Sequence, residues 1–280
     1  MAATKLEKYH NVVVDLVKKC GDIFRQGYHE NKAEFETKCD FYDLVTVYDK
    51  QIEVLLVEGI KKEFPECKFI GEEDSAASKI LPELTDDPTW IIDPIDGTTN
   101  FIRRIPLCCI SVGLSIKKEL VLGIVYNPIT DEMFTAYKGN GAYLNGKKIS
   151  VSNRKAIKDS IVAYEISMIH SKRVRDKNVK RLTKLASNAT GTRTFGSAAV
   201  TLCLLAKGII DVFHVEDLQP WDIAAGAVIL REAGGVIVKS DGSEFDIMNP
   251  YMTSASTPEL LTDVMALIKE ANEIKSYTIE

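Results

Sequence analysis

Apolar residues recur at helical spacing from Leu6 to Tyr28, at Tyr9, Val12, Val13, Leu16, Val17, Cys20, Ile23 and Phe24, and predict a long amphipathic helix with one buried face. Val12-Val13-Val14 is β-branched, so packing rather than propensity must hold it. Asn31 to Asp40 is charged and poorly periodic and reads as a flexible or hairpin segment. A second helix is expected over Lys50 to Phe64, with Ile52, Leu55, Leu56, Gly59 and Ile60 on its inner face. Phe69-Ile70-Gly71 then leads to the acids Glu72, Glu73 and Asp74 at an apparent strand end, and Ala76 to Pro88 follows as a surface connection. Trp90-Ile91-Ile92 reads as the end of a buried strand that the chain leaves at Asp93, before a Gly-Thr-Thr turn. Strands over 108–116, 120–126 and 132–138, with a turn at Lys117-Lys118-Glu119 and Asn-Gly signals at Asn140 and Asn145, predict an antiparallel meander.

After about residue 150 the pattern changes. A strand over Ile161–Ile166 precedes a helix over Arg173–Ser187 with a strongly basic face, and Thr192–Phe195 is extended. Gly196-Ser197-Ala198-Ala199 opens an apolar helix, Ile209–Val215 is a strand, and a further helix runs from Trp221 to Glu232 and stops at Gly234-Gly235. Val236–Val238 is a short strand, Asp246–Ser254 leads to an edge strand, and Pro258–Ile274 closes the chain as an amphipathic helix. The two halves, 1–150 and 151–280, are expected to form a single domain. No internal repeat is visible.

The chain has 280 residues, 45% hydrophobic and 27% charged, enough to bury a full core. A net charge of −5 without a long basic run argues against a general nucleic-acid binder. No apolar run approaches the roughly 20 residues of a membrane span, and the polar N-terminus lacks the apolar core of a signal peptide, so a cytoplasmic protein is expected. The six cysteines have no metal-binding or redox spacing and read as reduced, mostly buried thiols.

Candidate chemistry centres on Asp93-Pro94-Ile95-Asp96-Gly97-Thr98-Thr99-Asn100. Two carboxylates with the Ile95 carbonyl between them are hard oxygen donors of the kind Mg²⁺ takes. Gly97 lets backbone approach a ligand, and Thr98 and Thr99 can lend hydroxyls and N–H groups to an anion. An ordinary Asp-Gly turn accounts for the same string taken alone. Asp49 and Asp222 each fall at a helix start, where a capping role and a site role both fit. The helix opening at Gly196 suits either an anion or close packing. Glu72, Asp93, Asp96 and Asp222 each follow an apolar run or open a helix, and their combined charge would need cations to gather at one sheet edge.

The strings Gly71-Glu72-Glu73, Trp90 to Phe101, Gly196-Ser197-Ala198-Ala199 and Trp221-Asp222-Ile223-Ala224-Ala225-Gly226 together resemble, in order and spacing, the inositol monophosphatase family of magnesium-dependent, lithium-sensitive phosphomonoesterases. The resemblance covers nearly the whole chain. It implies an α/β fold built as a five-layered α-β-α-β-α sandwich, two to three Mg²⁺ per site, a small phosphate ester as substrate, Li⁺ inhibition, and a homodimer free of nucleic acid and membrane. Glu72, Asp93 and the Ile95 carbonyl would hold one Mg²⁺, and Asp93, Asp96 and Asp222 a second, with Glu72 helping a third. Thr98 paired with Asp49 would position the attacking water, with Glu72 completing the catalytic set. The phosphate would rest on the N–H groups of Gly97 and Thr98, and Asp96, Ala198, Asp222 and Glu216 would border the substrate. Lys38 and Glu73 would be accessory.

One departure bears on the substrate. The family's hydroxyl-binding glutamate falls here at Val215, and Glu216 is one residue late. Either Glu216 fills the role, or Asp217 does, or the role is lost. Tyr48, where the family often has a small residue or threonine, is a milder oddity. The rival readings are a phosphatase of 3′-phosphoadenosine 5′-phosphate or another sugar phosphate, and a non-catalytic phosphosugar-binding protein.

Overall fold

A computed structural model describes residues 4–30, 35–37, 44–166 and 172–275. Lys38 lies outside them. The N-terminal amphipathic segment forms α1 (Lys5–His29), opened by Thr4 and Glu7 in a capping box. Strands β1 (Phe35–Thr37) and β2 (Leu44–Thr46) pair antiparallel, and α2 (Val47–Glu63) follows directly. Helices α1 and α2 cover one face of a seven-stranded sheet. Its strands are β3 (Lys68–Gly71), β4 (Thr89–Asp96), β5 (Cys109–Ile116), β6 (Glu119–Asn127), β7 (Glu132–Tyr137), β8 (Ala142–Leu144) and β9 (Lys147–Ile149), in that spatial order. All neighbours pair antiparallel except β3 and β4.

The second half builds a five-stranded mixed sheet from β10 (Ile161–Tyr164), β11 (Gly191–Arg193), β12 (Val212–Val215), β13 (Val236–Lys239) and β14 (Met252–Ala255), in the order β11-β10-β12-β14-β13. Helices α6 (Ala198–Ala206) and α7 (Pro220–Glu232) lie between the two sheets, while α5 (Lys172–Ala186) and α8 (Pro258–Glu273) cover the outer face of the smaller one. The layers are therefore α-β-α-β-α, as the resemblance implies. Successive β4 residues divide between two cores. Trp90 and Ile92 pack under α1 and α2, whereas Ile91 faces α6 and α7. A strand buried on both faces reads as a continuous apolar run, which is why Trp90–Ile92 shows no alternation.

Four local expectations change. First, β4 does not stop at Asp93 but runs to Asp96, and its pairing with β5 shifts register between those two residues. Pro94 has no N–H for the ladder, and a bulge absorbs it. Second, the acids after the strand end open a short helix, α3 (Glu72–Ser78), which takes in the start of the expected connection, since carboxylates favour a helix N-terminus. Third, Thr98 begins α4 (Thr98–Arg103), with Gly97 at φ 85° as its N-cap. Fourth, β14 is not an edge strand but lies between β12 and β13.

Small residues set how closely α7 approaches the larger sheet. A Cβ on Gly113 of β5 would lie 2.7 Å from Ala224 Cβ, and one on Gly123 of β6 would lie 2.2 Å from the Ala225 carbonyl oxygen. On its other side Gly226 accepts the side chain of Leu202 from α6, with 2.6 Å to the position of a missing Cβ. The Ala224-Ala225-Gly226 run is thus the packing surface that seats α7, and with it Asp222. Gly123→Ala must push against helix backbone, so it is expected to cost about 2–3 kcal/mol in urea unfolding and to lower activity by displacing α7.

Candidate active site

The bulged end of β4 and the start of α7 bring three acids together. Asp93, Asp96 and Asp222 each offer a carboxylate oxygen, and these oxygens lie within 4.8 Å of one another. Asp93 Oδ1 accepts the Ile95 N–H at 3.0 Å, folding the bulge back on itself. Asp222 Oδ2 accepts the Gln219 N–H at 2.7 Å in a capping box, so capping and membership of the cluster coexist in one side chain. Glu72, the first residue of α3, adds a fourth carboxylate. Burial raises Asp93 well above the usual carboxylate range, and the charges of Glu72, Asp96 and Asp222 raise it further.

Asp96 is held from the opposite half of the chain. Its Oδ2 accepts from Ser197 Oγ and from the Ala199 N–H at 2.8 Å, with Cys109 Sγ at 3.8 Å. Burial raises its carboxyl, and these donors oppose the rise. The anion at the N-terminus of α6 is therefore the protein's own Asp96, while Ala198 is the buried first residue of that helix. Asn100 reinforces the junction, donating to the carbonyls of Leu107 and Phe195 at 2.8 Å each. Ser197 and Asn100 carry no role in the sequence reading. Their motifs marked the place, but which atoms they reach depends on how the two halves pack.

Asp49 occupies the third position of α2. Its Oδ2 accepts from Thr46 N–H at 2.8 Å and Thr46 Oγ1 at 2.5 Å. Among the described residues its buried Oδ1 has no hydrogen-bond partner. Burial pushes the carboxyl up to about 7, Thr46 pulls it down, and the charges of Glu72 and Glu73 push it up again. Thr98 Oγ1 donates to the Ile95 carbonyl at 3.1 Å. The implied Thr98–Asp49 hydrogen bond is not present in this arrangement, although α4 packs on β2, three residues before Asp49. Gly97 is crowded by Leu107, Gly196 and Ser197, and no side chain caps α4.

Glu216 has other partners. Its buried carboxylate accepts from Arg181 at 2.5 Å and Ser240 at 2.6 Å, and pairs with Lys177. The basic face of α5 thus docks on the loop before Asp222, and Val215 is core. Both oxygens of Glu216 meet protein groups, so Glu216 ties α5 to this loop. Asp217 follows at φ 61°. Glu73 is buried, and its N–H binds Glu53.

The donors Glu72, Asp93, Asp96, Asp222 and the Ile95 carbonyl are all hard oxygens. With Asp93 and Asp96 buried, Glu72 and Asp222 half-buried, and Asp49 Oδ1 unsatisfied among the described residues, they fit a hard divalent cation. Among the described residues, no helix is long and apolar enough to cross a membrane.

A sequence model described as the inositol monophosphatase family matches residues 5–273. Inositol monophosphatase 2 of Solanum lycopersicum is 45% identical over 243 residues, 86% of this chain and 91% of the relative. Inositol monophosphatase 1 of Xenopus laevis is 39% identical over 254 residues, 89% and 88% of the two chains. Among solved structures, the extragenic suppressor protein suhB of Bartonella henselae superposes with a TM-score of 0.84 at 29% identity, covering 94% of this chain and 99% of that one. The Thermotoga maritima IMPase gives 0.83 at 29% identity, covering 95% and 98%.

The tether at Glu216 yields a pH prediction. Burial alone would raise its carboxyl, but hydrogen bonds from Lys177 and Ser240 and the charge of Arg181 outweigh burial and hold it at about 2, below the ordinary 4.5. A depressed folded-state value stabilises fully above the unfolded value, and that stability is lost as pH falls from about 4.5 toward about 2. Urea unfolding of metal-free protein across this range is expected to show Glu216→Gln less stable than wild type at pH 6. The gap should narrow steadily as pH falls to 2.5.

Proposed function

The chain belongs to the inositol monophosphatase family, and on that premise we propose that it is a Mg²⁺-dependent phosphomonoesterase that hydrolyses myo-inositol monophosphates to myo-inositol and phosphate. The single observation that carries the reading is the convergence of buried Asp93 and Asp96 with half-buried Asp222, with Glu72 acting on Asp93. The two sheets share the α6–α7 layer, which supports reading the chain as one catalytic domain.

The residues divide the work as follows. Glu72, Asp93, Asp96, Asp222 and the Ile95 carbonyl would hold two to three Mg²⁺. When bound, these ions acidify water and offset charge on the phosphoryl oxygens. Gly97 and Thr98 present N–H groups from an uncapped helix start, a place for the phosphate. Asp49 Oδ1 is a buried acceptor without a partner, suited to take a hydrogen bond from the Thr98 hydroxyl or from water. Releasing Thr98 from the Ile95 carbonyl would free that hydroxyl to orient the nucleophile. Asp96 and Ala198, fastened together at the start of α6, border the leaving polyol, and Glu73 stays accessory. His214 is fully buried beside Thr253 and Arg181, and burial holds it down at about 3. Burial favours its neutral form, and no step is assigned to it. We also read the enzyme as a cytoplasmic, Li⁺-sensitive homodimer.

A second reading, a bisphosphate substrate such as 3′-phosphoadenosine 5′-phosphate, draws on one observation. Lys177 and Arg181 place two cations at the loop before Asp222, where both pair with Glu216 and Asp217 follows in the chain.

Phosphate release measured with Mg²⁺ on inositol 1-phosphate, 3′-phosphoadenosine 5′-phosphate and fructose 1,6-bisphosphate is expected to be fastest on the first and to fall when Li⁺ is added. Preference for a bisphosphate would favour the second reading. Asp93→Asn should lower turnover by at least about 10²–10³-fold, the cost of losing one transition-state contact, with an unchanged circular dichroism spectrum. Near-normal turnover in that variant would exclude Asp93 from the metal site.

A further inference from the structure

Helix α3 opens without a cap of its own. Its N-cap is Gly71, which has no side chain to offer, and the next two free N–H groups belong to Glu73 and Asp74. Both are satisfied from another helix. Glu53 of α2, buried to 5% exposure, accepts the Glu73 N–H on Oε2 and the Asp74 N–H on Oε1, each at 2.9 Å. These are the second and third positions of the helix, the N–H groups a local cap would serve. Burial raises the Glu53 carboxyl to about 7 while these two N–H groups pull it down, and its ionised form complements the helix dipole.

Gly71 makes room for this arrangement. A Cβ at that position would lie 2.6 Å from Glu53 Cδ and 2.7 Å from each of its oxygens. Gly71 has φ −106°, open to any residue, so the glycine is required by space and not by conformation. Glu72 stands between Gly71, which presses on Glu53, and Glu73, whose N–H is bonded to Glu53. One turn earlier on the same face of α2 is Asp49, with its partnerless Oδ1. Helix α2 therefore serves the site twice, once by a group aimed into it and once by a group that holds another element in place.

We infer that Glu53 is a positioning residue that fixes the backbone of Glu72 so that its carboxylate meets Asp93 and the metal. This rests on the proposed role of Glu72 as a metal ligand. Replacing Glu53 by glutamine keeps the shape but turns one acceptor into a donor facing an N–H, so half of the clamp is lost. Gly71→Ala reaches the same end by a different route, pushing the carboxylate aside with its charge intact.

The test is isothermal titration of Mg²⁺ into metal-stripped wild type, Glu53→Gln, Gly71→Ala and Glu72→Gln, with thermal unfolding in chelator alongside. Groups that orient a metal ligand typically cost 10–100-fold in metal affinity when removed, so a loss of roughly that size is expected in Glu53→Gln and Gly71→Ala. The Mg²⁺ half-saturation of phosphate release should move with it, while KM for substrate at saturating Mg²⁺ stays near the wild-type value. A lower melting temperature with unchanged Mg²⁺ affinity would overturn the inference, since a purely structural Glu53 predicts that result. So would failure of both variants to fold, which would place Glu53 in the core alone. Absence of Mg²⁺ binding by wild type, or unchanged affinity in Glu72→Gln, would instead defeat the metal reading on which the inference rests.

Discussion

Mutual repulsion among buried carboxylates is the constraint around which this structure is arranged. Asp93, Asp96 and Asp222 approach within 4.8 Å, and Glu72 and Asp49 lie in the same field. Nothing in such a cluster favours its own assembly. Burial and like charge push Asp93 well up and Asp49 to about 7, which means the apo site works against the fold at neutral pH. A cation that binds only the folded chain opposes that repulsion and adds stability that grows with the logarithm of its concentration over its dissociation constant. Function and stability are joined at this point.

The rest of the architecture holds the acids where they would not stay unaided. Each is fastened by donors at an element end: Asp93 by the Ile95 N–H, Asp96 by Ser197 and Ala199, Asp222 by Gln219, and Asp49 by Thr46. These bonds fix one oxygen of each of these four carboxylates. The frame that carries the ends is the close packing of α7 between sheets, made possible by Gly113, Gly123 and Gly226. A well-packed layer of Ala and Gly has little freedom to shift, so the acid at its start inherits its precision.

Much of this was legible in the sequence because the signals are local. Helical spacing located α1, α2 and α8, paired Asn-Gly signals located the meander, and the Asp93–Asn100 and Trp221–Gly226 strings marked two sides of the site. Other features were not legible because they depend on tertiary partners. The bulge at Pro94 extends β4 past Asp93, since the partner strand tolerates a register shift. Strand β14 lies inside its sheet although its sequence says nothing about how many neighbours it has. Glu216 lies one residue from the position the resemblance implies, and only the docking of α5 reveals that Lys177 and Arg181 claim it. Glu53 was visible as a residue one turn beyond Asp49, but its partners belong to a helix that the acidic run did not announce.

The central claim is that the carboxylate cluster is a metal centre, and anomalous diffraction from crystals soaked in Mn²⁺ tests it most directly. Anomalous peaks are expected among the oxygens of Asp93, Asp96 and Asp222, with a further contact to Glu72 and the Ile95 carbonyl. Strong Mn²⁺ peaks elsewhere on the molecule and none at this cluster would contradict it.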